Sequence, residues 1–122
     1  MVSSTTSALD QLQNSVFAGS GQKFASIDQG SAGTTEIVAA VTGSRIRIMA
    51  AVLTGVGSNI NVSLKSASTQ LTGEISGNAS LGIVLSYNPA GWVQTEAGEA
   101  FQITSSNGAI NGCVVYEEVA VA

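Results

Sequence analysis

The sequence predicts an all-β protein: a single small antiparallel β-sandwich preceded by an extended N-terminal arm. Three observations carry this expectation. From Thr34 onward, β-branched runs alternate with polar residues and are broken by Gly, Asn and Ser turns at spacings of about 8–12 residues, the rhythm of a sandwich or barrel. No long helical pattern competes with them. The chain of 122 residues is 44% hydrophobic and only 10% charged, one domain's worth of sequence whose surface must be built largely from uncharged residues.

Taken in order, residues 1–33 read as the arm and 34–122 as the sandwich. Ser, Thr, Gln and Gly dominate the arm, where Leu9, Leu12, Val16 and Phe17 are the sparse apolar residues. Leu9, Leu12 and Val16 fall at i, i+3 and i+7 behind Ser7 as a candidate N-cap, so a short amphipathic helix and an extended arm both stand as readings. Gly19-Ser20-Gly21 and Gly30-Ser31-Ala32-Gly33 are joints around KFASID, whose Phe24 is placed to add an edge strand. In a segment too polar to build its own core, Leu9, Leu12, Val16, Phe17 and Phe24 are expected to be buried against a neighbouring subunit or other partner.

In RIRIMAAVL, simple alternation puts Ile46, Ile48, Ala50 and Val52 on one face and Arg45, Arg47 and Met49 on the other. In NINVSLK, it separates Ile60, Val62 and Leu64 from Asn59, Asn61, Ser63 and Lys65. The intervening GVGS reads as a hairpin connection. Shorter strands are expected at 71–75, 81–86 and 92–94, with Pro89 marking a bend. Asn107-Gly108 reads as a two-residue type I′ hairpin that pairs FQITSS with AINGCVVYEEV. With Ser106 opposite Ala109, that register gives Phe101, Ile103, Ile110, Val114 and Tyr116 the core face and puts Cys113 on the other, beside Gln102.

Chemistry is sparsely provided for. Four Lys+Arg against eight Asp+Glu give a net charge of −4, which leaves too few cations for nucleic-acid binding by counterion release. There is no His, and the single Cys113 closes no internal disulfide. Without a base beside it, Cys113 reads as a packing residue and not as a nucleophile. Glu96 with Glu99, and Glu117 with Glu118, are neighbouring acids at strand ends that read as a solvated rim. The acids are scattered without an Asp-x-Asp loop, so no metal site is expected. Gly55-Val56-Gly57 leads into a strand and reads as a turn, not a phosphate loop. No cofactor and no catalytic residue is expected, and the chain reads as non-enzymatic. The N-terminus lacks the pattern of a secretory signal, and no apolar run is long enough for a spanning helix, so neither export nor a membrane partner is expected.

Two groups are candidates for binding. Arg45 and Arg47 project from one strand face and are half of the cations. They are placed either to grip a partner's carboxylates or to pair with Glu36 or another acid of the same subunit. Trp92, Tyr87 and Tyr116 would make a sugar platform if exposed, but with six aromatics in the chain core packing is the expected role.

The segments VTGSRIRIMAAVL, NVSLKSASTQLTG, GWVQTEAGEAFQI and GCVVYEEV resemble small, jelly-roll-like β-sandwich head proteins of tailed bacteriophages. These are the auxiliary decoration or cement proteins, some sharing their fold with tail-fibre tips. The likeness runs from Thr34 to Val119 and rests on Arg45-Ile46-Arg47, Gly91-Trp92 after Pro89, and Ala97-Gly98-Glu99-Ala100. It implies a virion protein, often a homotrimer, that binds the major capsid protein on the outside of the shell and clamps adjacent capsomers. The competing reading is a receptor- or carbohydrate-binding tip of a tail fibre or spike.

Overall fold

The computed structural model describes residues 21–121, and all that follows concerns these. They form eight strands: β1 (Gln22–Gln29), β2 (Gly33–Val38), β3 (Ser44–Ser66), β4 (Thr69–Gln70), β5 (Ile75–Gly77), β6 (Ser80–Leu85), β7 (Val93–Gln94) and β8 (Phe101–Ala120). The chain is all-β, and every strand pairing belongs to one antiparallel sheet.

The long strands β3 and β8 are its spine. They pair from Ser44↔Ala120 to Ser66↔Phe101, with one wide interruption between Gly57↔Gly108 and Asn61↔Ser106. There Ser58, Asn59 and Ile60 stand opposite Asn107 alone. Gly57 (φ 147°), Asn59 (φ 57°) and Asn107 (φ 67°) take the left-handed backbone that Gly and Asn tolerate best. The Asn107 side-chain amide donates to the Asn59 carbonyl at 3.1 Å, tying the two irregular stretches together.

At this level the sheet folds over on itself, giving a sandwich-like pair of layers. The first layer holds β1, the second half of β8, the first half of β3, and β6 with β7. The second holds β2, the first half of β8, the second half of β3, and β4 with β5. Their inner faces share one core, in which Ile46, Ile48, Leu53, Ile110 and Val114 of the first layer meet Ile60, Val62, Leu64, Phe101 and Ile103 of the second. Gly55 sits where they close: a Cβ there would lie 3.0 Å from the Ile110 side chain and 3.3 Å from that of Ile60. Gln29 of β1 crosses between layers, donating to Ser105 Oγ and, at 3.1 Å, to the Gly33 carbonyl.

Both expected hairpins are therefore corrected. GVGS does not reverse the chain, and Asn107-Gly108 is not a type I′ turn. That turn needs positive φ at both central residues, and only Asn107 has it. The two turn signals instead face each other across the β3–β8 ladder and make the fold line. The sidedness inferred for β8 holds for Phe101, Ile103, Ile110 and Val114, all buried, with Tyr116 packed against the core. Cys113 lies off the core face as the register gave, but it is exposed and not the packing residue expected, and its neighbours are Ser26 and Val52 and not Gln102.

RIRIMAAVL does not keep the simple alternation expected of it. The register shifts between Ile48 and Ala50, so Met49 is an extra residue in its strand. Beyond this bulge the alternation inverts: Met49, Ala51 and Leu53 are buried, while Ala50 is half-buried and Val52 exposed. KFASID does form a strand, β1, along its whole length beside β8. Residues 22–29, which the sequence assigned to the arm, are thus part of the sheet.

Candidate functional site

The two outer faces of the sandwich differ in chemistry. Across the second layer, Thr34 pairs with Thr104 and Thr104 with Ser63, while Glu36, Gln102, Lys65 and Gln70 form the next row. Thr34 and Thr104 join through their hydroxyls at 2.8 Å, and Ser76 donates to Asn61 Oδ1 at 2.5 Å. This face is polar, as the outside of an antiparallel sheet ordinarily is.

The outer face of the first layer is not. Pairing places Phe24, Val115 and Ala50 in one row and Ser26, Cys113, Val52 and Val84 in the next. Phe24 is 79% exposed, Val84 73% and Val52 44%. No charged side chain lies in either row. The Met49 bulge is what brings this about, because it swings Val52 out of the core and onto the row of Cys113 and Val84.

Polar rows close this patch at both ends. At one end, Gln22, Glu117, Arg47 and Gln94 are register neighbours. Arg47 Nε donates to Gln94 Oε1 at 3.0 Å, its guanidinium lies 3.9 Å from Glu117, and the Gln22 amide donates to the Tyr87 hydroxyl at 2.6 Å. At the other end run Asp28, Asn111, Thr54 and Gly82. An apolar centre inside a hydrogen-bonded rim is the anatomy of a protein–protein contact. At its margin β6, with the sequence SLGIVL, carries no charge or Pro to blunt its edge, and among the described residues no strand pairs with that outer edge.

A cleft lies between the layers on the same side, lined by Leu53, Leu64, Ile75, Ile83, Leu85 and Trp92 among others. Trp92 is 48% exposed and donates its indole N–H to the Ser86 carbonyl at 2.7 Å, and Tyr87 is 56% exposed. Core packing was the expected role of these aromatics. Only Tyr116 packs against the core, while Trp92 and Tyr87 stand at the surface.

Arg45 lies 3.8 Å from Glu96, and Arg47 takes the contacts described above, so both pair with acids of their own chain, though not with Glu36. Glu99 accepts the Ser66 hydroxyl at 2.5 Å, and Ser66 Oγ accepts the Glu96 amide at 2.9 Å, which fastens the turn before β8 to the end of β3. Glu118 pairs with Lys23 at 3.1 Å. Among the described residues no three His, Cys, Asp or Glu side chains come together as a metal would require. Phe24 is on the apolar face; Leu9, Leu12, Val16 and Phe17 lie outside the described residues. The sequence reading did not find this face as a unit, because it depends on the bulge and on cross-strand register.

Neither the family models nor the curated proteins compared with the chain gave a match. Among solved structures, the chain is similar to one described as the cryo-EM structure of a virus-like particle of the giant freshwater prawn Macrobrachium rosenbergii extra small virus. The identity is 18%, the match covers 78% of this chain and 77% of that one, and the TM-score is 0.36.

Proposed function

We propose that this protein is a non-enzymatic structural component of a virion, a decoration or cement protein. In this reading it binds the major capsid protein on the outside of a shell and clamps neighbouring capsomers. The observation that carries the reading is the uncharged outer face of Phe24, Val115, Ala50, Val52, Cys113 and Val84 inside its polar rim. Such a face is stabilised by being covered, and in a subunit built to assemble the cover comes from other copies of the chain, many of which a shell brings together. The mechanism is mass action: a subunit that binds the assembled shell and not its separated parts stabilises the shell by small increments summed over many copies. The self-association implied by the unblunted β6 edge fits a homo-oligomer, for which a trimer is the expected state.

A second reading rests on a different observation. Trp92 stands exposed on an apolar cleft and Tyr87 is exposed as well, as the aromatics of a carbohydrate- or receptor-binding tip would be. Quantitative mass analysis of the intact particle separates the two. Hundreds of copies per particle are expected for a decoration protein, whereas a few dozen or fewer would overturn it in favour of a tail device.

A further inference from the structure

The apolar face of the first layer has a cover within the chain's own sequence. We infer that residues 8–17 of a neighbouring copy, ALDQLQNSVF, lie across it. The inference rests on the assembly reading only in taking that segment from a second copy.

Size and composition fit. The face spans β1, β8, β3 and β6, three strand spacings of about 4.8 Å, or about 14 Å. Leu9, Leu12, Val16 and Phe17 fall at i, i+3, i+7 and i+8, one stripe about 12 Å long if the segment is helical. Asp10 is the one charged side chain in residues 1–20, so covering the uncharged rows strands little charge.

Direction selects a neighbour. β1 enters at Gln22, on the polar rim row opposite Glu117, and runs inward past Phe24 to Gln29. The chain therefore enters β1 at the rim, through Gly21. To lie on its own face, the segment would have to reverse within Ala18–Gly21 and cross the row closed by the Gln22 to Tyr87 and Arg47 to Gln94 hydrogen bonds. A copy set end-on at that rim receives it without reversal, in the manner of an exchanged arm.

Cys113 reports on the contact, since it is the only cysteine and stands exposed in the second row. The test is made on the purified full chain without any shell. In Val16→Cys, mild oxidation is expected to join position 16 of one chain to Cys113 of another, giving covalent multimers on a non-reducing gel. Thr5→Cys is expected to give far fewer. In a second arm, alkylation of Cys113 is expected to be about tenfold slower in the wild type than in L12S/V16S/F17S, because a covered thiol reacts when its cover opens. Bridges within single chains would overturn the exchange, and bridging no greater than in Thr5→Cys would overturn the contact. Equal alkylation rates in the wild type and the triple variant, slowed alike at high concentration, would assign the face to a second copy's sheet and overturn the proposal. Failure of particle binding would leave these readouts untouched, so the two proposals fail separately.

Discussion

Two glycines and a methionine decide how this sheet is shaped. Gly112 has φ 154°, and a Cβ on it would lie 1.8 Å from the Val52 carbonyl oxygen, a backbone atom that cannot move without opening the β3–β8 ladder. Gly57 has φ 147° and would set a Cβ 2.2 Å from the Asn107 carbonyl oxygen. Gly82 is the contrast: a Cβ there meets nothing within 4 Å and its backbone is ordinary. Gly112→Ala is therefore expected to cost about 2–4 kcal/mol in urea unfolding, and Gly82→Ala to stay within about 0.5 kcal/mol of wild type. Comparable losses at the two sites would show that the close approach at Gly112 is not what that glycine serves. Met49 acts differently, since by standing as the extra residue in β3 it changes which valine faces water.

Among the elements, β3 and β8 hold the fold although residues 67–100 separate them in sequence. The alternation of NINVSLK was legible: Ile60, Val62 and Leu64 are all buried. So was the inward set of β8. What could not be read was connectivity. Asn-Gly and Gly-x-Gly signal a positive φ, which serves a reversal or a bend equally well, and only the partner strand decides between them. Here Gly57, Asn59 and Asn107 meet across the ladder, so each signal that suggests a local hairpin belongs instead to a long-range pair. The bulge at Met49 was illegible for the same reason, as Ala50 and Ala51 suit either face. With its central ladder non-local, the protein is expected to refold in milliseconds to seconds, as sandwiches with distant strand pairing do. Stopped-flow Trp92 fluorescence checks this, and sub-millisecond refolding would mean that local hairpins form first after all.

Taken together, the described residues make a sandwich with a polar outer face on one layer and an apolar one on the other, and the proposed function rests on this asymmetry. Of the residues the sequence offered for partner contact, Phe24 lies on the apolar face, while Arg45 and Arg47 are engaged by Glu96, Glu117 and Gln94 of their own chain. Cross-strand register, and not composition, gathers Val115, Cys113, Val52 and Val84 beside Phe24. The proposed assembly buries this face between subunits. Sedimentation equilibrium of the wild type beside F24D/V84D tests it most directly, since both side chains are largely exposed and their replacement leaves the core intact. The wild type is expected at three times the 12.2 kDa of one chain, and F24D/V84D, with unchanged circular dichroism, at 12.2 kDa. A wild type that stays at 12.2 kDa at micromolar concentration, or a double variant that keeps the wild-type mass, would contradict the claim.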